Sequence, residues 1–263
     1  MKALSTLTWL IFGCSIAIAQ PLDLAIAENR TMFVLDREGL QVTPVPGKDS
    51  SREKLEMDGV HTIRAFKNYL FLASKTHYAE RNPNGTYKQL IDPQKLTTLL
   101  GSPVSITALC IDAGGNQFLT VENDKNQTAL LRHSANNKPV IVIGFEHGSA
   151  LRGVTSMATC GESSLLIHCA GTTVTQVFCL NRKQIIGTLP LGDAKSIVHD
   201  SFGRCYAIDV TTNQVLVYNP MTRKTHSSRI TSGNPAAMDY RPADNTLVVI
   251  NNAGHFLDWK AVD

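Results

Sequence analysis

The sequence predicts an all-β fold, a six-bladed β-propeller with antiparallel four-stranded blades and a short last blade. Three observations predict it. Apolar strand-like runs recur with a period near forty residues, each period holds several short strands divided by Asp, Asn and Gly turns, and no long amphipathic helical pattern interrupts them. The clearest copy is residues 196–220, SIVHDSFGRCYAIDVTTNQVLVYNP, where three apolar strands alternate with an Asp-Ser-Phe-Gly turn and a Thr-Thr-Asn turn.

Six copies follow in order. Ile26-Ala27-Glu28-Asn29 precedes Met32-Phe33-Val34-Leu35, and Ile63-Arg64-Ala65-Phe66 precedes Tyr69-Leu70-Phe71-Leu72. Leu109-Cys110-Ile111-Asp112 leads to Gln117-Phe118-Leu119-Thr120, and Met157-Ala158-Thr159-Cys160 to Leu165-Leu166-Ile167. Ile197-Val198-His199-Asp200 leads to Cys205-Tyr206-Ala207-Ile208, and Met238-Asp239-Tyr240-Arg241 to Leu247-Val248-Val249-Ile250. The anchors Ile26, Ile63, Leu109, Met157, Ile197 and Met238 lie 37, 46, 48, 40 and 41 residues apart. The second strand of each copy is the most continuously apolar, as expected of a sheet covered on both faces by its neighbours. Third and fourth strands lose hydrophobicity toward a solvated rim. The sixth copy ends at Asp263 before a full fourth strand, so ring closure is expected chiefly from packing between blades one and six. Only Pro93–Leu100 reads as a short helix.

The 263 residues divide into a signal peptide, 1–19, and a single propeller domain, 20–263. Lys2, the apolar run after it and Ala17-Ile18-Ala19 form a secretory leader pattern with cleavage after Ala19; lipidation at Cys14 is the lesser reading. A secreted or periplasmic location follows, without a transmembrane span. A net charge of +3 and the lack of a Lys/Arg-rich run give no argument for nucleic acid. Oxidising surroundings permit disulfides among Cys110, Cys160, Cys169, Cys179 and Cys205, yet most sit in apolar runs where a small buried hydrophobe is the simpler role. Asn29, Asn84 and Asn126 open glycosylation triplets in a eukaryotic host.

The fifth copy resembles an NHL-type blade. Its residues 196–203, the strand 205–209 and Asn213-Gln214-Val215-Leu216-Val217-Tyr218 match that family's sequence of apolar strand, Asp-x-x-Gly turn, Tyr-containing strand and Asn-x-x-apolar strand. The third copy matches more loosely through Ile111-Asp112-Ala113-Gly114. The pattern is also similar to the gluconolactonase-like six-bladed enzymes. The first resemblance implies a binding platform. The second implies metal-dependent hydrolysis of lactones and esters, with a Ca²⁺-type ion held by Glu, Asn and Asp at the channel mouth.

Taking the residue two before each anchor as that mouth position gives Leu24, His61, Thr107, Thr155, Lys195 and Ala236. None offers a carboxylate, and Lys195 repels a cation. Asp23 and Asp193 lie a register step or more away, turned to another face. His61, Thr107, Thr155 and Lys195 therefore form the candidate ligand-binding rim, polar and mildly basic, suited to an anionic or hydroxyl-bearing small ligand or an acidic peptide. No metal ligands, catalytic residues or cofactor are assigned. No Gly-x-Ser-x-Gly elbow or phosphate-binding loop occurs, and Gly85, Gly114 and Gly115 read as hairpin glycines with positive φ. His168 reads as a core histidine and His147 as a solvated loop residue. The charged insert 45–58 reads as an exposed loop, with partner docking as its sharper alternative. The function expected is a non-catalytic binding module for a small ligand or protein partner, the alternative a metal-dependent lactonase or esterase.

Overall fold

A computed structural model describes residues 10–11, 20–44, 50–55, 57–134, 138–228 and 233–260. Its first strand, β1 (Leu10–Ile11), stands apart from the repeats. Blade one is β2 (Asp23–Ile26), β3 (Met32–Asp36), β4 (Gly39–Thr43) and β5 (Ser51–Glu53); blade two is β6 (Val60–Phe66), β7 (Tyr69–Ser74), β8 (Tyr78–Arg81) and β9 (Tyr87–Ile91). The helix α1 (Pro93–Leu100) leads to blade three: β10 (Val104–Ile111), β11 (Gln117–Asn123), β12 (Thr128–His133) and β13 (Val140–Ile143). Blade four is β14 (Val154–Cys160), β15 (Ser164–Cys169), β16 (Thr175–Cys179) and β17 (Gln184–Leu189). Blade five is β18 (Ala194–His199), β19 (Cys205–Asp209), β20 (Gln214–Asn219) and β21 (Lys224–Ser228). Blade six has three strands of its own, β22 (Pro235–Arg241), β23 (Thr246–Asn251) and β24 (Phe256–Lys260). All neighbours pair antiparallel, in chain order from the axis outward. This is the six-bladed propeller that the period predicts.

Burial follows the hydrophobic pattern. Every residue of β19 and β23 is buried, while β17 and β21 at the rim are mostly exposed. Each buried Leu, Ile or Val contributes about 1.5–3 kcal/mol of burial. Because those side chains fill the space between blades, no blade is stable alone. The turns have a local cause. Asp200 Oδ1 accepts from the N–H groups of Phe202 and Arg204, and Asp112 Oδ1 accepts from those of Gly114 and Asn116. Each Asp thus caps its own hairpin. Gly203 and Gly115 end these turns with φ of 82° and 81°; Gly85 is likewise positive, whereas Gly114 is not.

The ring closes where β2 meets β22. Leu24, Ile26 and Val34 of blade one join Ala237, Val248, Ile250 and Phe256 of blade six in one apolar cluster. Asp239 adds a polar latch, its Oδ2 accepting from Ile26 N–H at 2.7 Å. On the outer edge of blade six, β1 pairs with β24, Leu10 opposite Asp258 and Ile11 opposite Leu257. That edge therefore takes up part of the span read as a leader. Cys14 and the 17–19 cleavage pattern lie outside the described residues. Among the described residues no helix is long and apolar enough to cross a membrane.

One sequence expectation is corrected here. The insert 45–58 is not simply an exposed loop: Ser51–Glu53 is the fourth strand of blade one. Arg52 pairs with Asp36 and Glu38, and Glu53 pairs with Arg81 of blade two. Residues 45–49 and 56 lie outside the described residues.

Candidate functional site: the channel mouth

Five of the six inner strands carry a β-bulge near their start, at His61, Thr107, Thr155, Lys195 and Ala236. A bulge leaves its residue unpaired and re-aims the side chains around it. β2 has none, pairing continuously from Asp23 to Ile26. The equivalence drawn for blade one is therefore displaced. Leu24 is fully buried in the interface with blade six, and Asp23 stands at the mouth instead.

A cavity of about 200 Å³ occupies this end of the channel. His61, Thr155 and Lys195 line it together with Asp23, Thr62, Arg64, Ser156 and Ser196. Thr107 is not on this wall; its hydroxyl turns to the Thr120 hydroxyl at 2.8 Å. His61 is committed within the wall. Its Nε2–H donates to the Ile106 carbonyl at 3.2 Å, so its Nδ1 accepts from the Thr62 hydroxyl at 3.0 Å. Burial lowers its pKa, favouring the neutral ring. Thr155 has only a long bond, 3.5 Å, to the His168 carbonyl. Lys195 is exposed into the channel; burial of its stem lowers its pKa while the Asp23 carboxylate opposes that shift. Ser156 and Ser196, each just after a bulge, are buried residues whose hydroxyls have no hydrogen-bond partner among the described residues.

Both oxygens of Asp23 are engaged. Its Oδ2 accepts from Arg64 at 2.8 Å and from Ile63 N–H at 2.9 Å, and its Oδ1 from Leu24 N–H at 3.0 Å. Arg64 also donates to the Ile63 carbonyl at 2.6 Å and feels Asp239, and these acids raise its pKa although burial acts to lower it. A hard cation needs several oxygen ligands converging on one point. Here a single carboxylate is bonded to a guanidinium, with Lys195 beside it. The mouth does not fit a Ca²⁺-type ion, and no cluster of metal ligands occurs among the described residues.

Beyond Arg64 a second cavity of about 190 Å³ fills the other end of the channel, lined by Arg64, Cys110, Thr159, His199, Asp239 and Tyr240 among others. Burial raises the Asp239 pKa to about 6, although Arg64 and two backbone N–H groups act to lower it. His168 is fully buried, with Ala194 N–H donating to Nε2 at 3.0 Å and Thr175 3.3 Å from Nδ1, as a core histidine requires. Asp193 lies 3.2 Å from the same ring and lines neither cavity. His147 is exposed.

Many solved structures share this fold. A gluconolactonase from Xanthomonas campestris is 12% identical with a TM-score of 0.75, over 98% of this chain and 91% of that one. A calcium-binding regucalcin from Agrobacterium tumefaciens is 10% identical with a TM-score of 0.68, over 96% and 93%. Virginiamycin B lyase from Staphylococcus aureus, bound to quinupristin, is 9% identical with a TM-score of 0.63, over 98% and 99%. Such low identity carries the fold alone. No protein-family profile and no curated sequence matches the chain.

Proposed function

We propose that this propeller is a non-catalytic binding module whose channel mouth takes a small hydroxylated carboxylate. The observation that carries the reading is the exposed Lys195, set in a cavity that Thr155, Ser156 and Ser196 also line. The ammonium supplies the counter-charge for a carboxylate. A cavity of about 200 Å³ limits the ligand to roughly the size of a sugar acid. On the leader reading of the sequence, the module acts outside the cytoplasm.

Calorimetric titration with gluconate and tartrate, with glucose as the neutral control, tests this. The acids should bind and glucose should not. Lys195→Ala should weaken the acids about tenfold, equivalent to ~1.4 kcal/mol. Unchanged affinity in that variant would remove the proposal. A metal-dependent lactonase or esterase is the second reading, favoured by the structural likeness to gluconolactonase. It requires the mouth to hold a divalent ion beside Arg64 and Lys195. Lactone hydrolysis that survives a chelator would argue against it.

A further inference from the structure

Blades four and five meet at two cysteines and a histidine that the channel mouth does not use. Cys160 is the last residue of β14, half-buried, and packs against the apolar cluster that contains Cys205. Cys205 is the first residue of β19 and pairs directly across the sheet with His199, the last residue of β18. Residues paired in this way carry their side chains on the same face. Cys160 thus packs on the cluster that holds Cys205, and His199 stands across from Cys205, so two thiols from adjacent blades and one imidazole come together. His199 also lines the second cavity, and Cys160 is partly exposed.

We propose that Cys160 and Cys205 are a redox-active dithiol joining blades four and five, oxidised by exchange with a small disulfide. The Cys160 thiolate attacks one sulfur of that disulfide. Its S–S bond breaks, a mixed disulfide forms on Cys160, and the departing thiolate takes up the proton that Cys160 released. Cys205 then gives its proton to His199 and attacks the Cys160 sulfur. The second small thiol leaves, carrying the proton from His199. Two protein thiols have lost two electrons, and one disulfide has become two thiols.

The order of attack follows from the surroundings. Hydrogen bonds from Cys205 and then His199 hold the Cys160 thiol below its ordinary pKa. The bond to Cys160, burial and the nearby Asp200 carboxylate push Cys205 up, so it stays protonated until the second step. Burial instead pushes Cys110 up to about 12 and raises Cys169, which suits wall groups rather than nucleophiles.

Oxidised glutathione tests the pair in the full chain. After incubation at pH 7, alkylation and digestion without reduction, mass spectrometry should find a Cys160–Cys205 linked peptide. The melting temperature should rise with linkage, and dithiothreitol should reverse both changes. Cys205→Ser should stop with one glutathione on Cys160, and Cys160→Ser should give neither product. His199→Gln should move the pH profile of Cys160 alkylation to higher pH while leaving the circular dichroism unchanged. The proposal is overturned if glutathione on Cys160 of the unsubstituted chain never converts to the linked peptide. Equal reactivity at half-buried Cys179 would overturn it too.

Discussion

The two ends of the channel share the inner strands β6, β10, β14 and β18 and reach opposite chemistry. At the start of the strands, Lys195 and Arg64 meet one acid, Asp23, and a group of hydroxyls. At the far end, Asp239, Tyr240 and His199 surround the other face of Arg64, and there is no lysine. Blade six lines only the far cavity and blade one only the mouth. The repeat therefore fixes similar backbone geometry in the five bulged blades, while single residues on particular blades set charge. Arg64 is the wall between the two regions, and substitutions there test how far each end depends on the other.

The largest expected effect is that of Arg64→Met, which leaves Asp23 and Asp239 without their shared cation. Removing one partner of a buried pair costs about 3 kcal/mol at the lower end, and the partial exposure of Arg64 to both cavities favours that end. Urea denaturation should show a larger loss at pH 8 than at pH 5, where Asp239 is protonated.

A pH series on Asp239→Asn separates the far end from the mouth. The folded-state pKa of Asp239 is about 6 against 3.8 ordinarily, so the folded chain binds the proton more tightly. Its contribution is complete below 3.8 and is lost as pH rises through 6. The rise corresponds to at most roughly 3 kcal/mol, lessened by the exposure of Asp239 to the cavity. Half-buried His61 and buried His133, whose pKa values are lowered, act in the opposite sense in a neighbouring window. The readout is therefore the difference between the unsubstituted chain and the variant. That difference should fall between pH 4 and pH 6.5; a flat difference would show Asp239 to be ordinary.

At the mouth, Lys195→Ala should cost affinity but stay within about 0.5 kcal/mol in stability, because the side chain is exposed. Thr107→Val should do the reverse. It should leave ligand binding unchanged and lose about 1 kcal/mol in urea denaturation through the deserted Thr120 hydroxyl.

The blade pattern was legible because the second strands must be apolar throughout, and 247–250 or 205–208 show that directly. The bulge residues were legible too, since a count from each anchor lands on His61, Thr107, Thr155, Lys195 and Ala236. Blade one broke that count. Without a bulge its register slips, and a small slip changes which face a side chain occupies. Asp23 was thereby set aside and Leu24 taken in its place. Arg64 and Asp239 carried a signal that was available: charges flanked by apolar residues within Ile-Arg-Ala and Met-Asp-Tyr, midway along inner strands. Cys160 and Cys205 stand 45 residues apart, about one period. Only the rotation from blade to blade brings them together.

Side-by-side melting curves in sodium gluconate and in calcium chloride test the central claim, that the mouth is an anion site. A ligand that binds only the folded state raises the melting temperature with its concentration. Gluconate should do so, Lys195→Ala should remove most of the shift, and calcium should leave the curve in place. Stabilisation by micromolar calcium, with gluconate inert in its absence, would contradict the account.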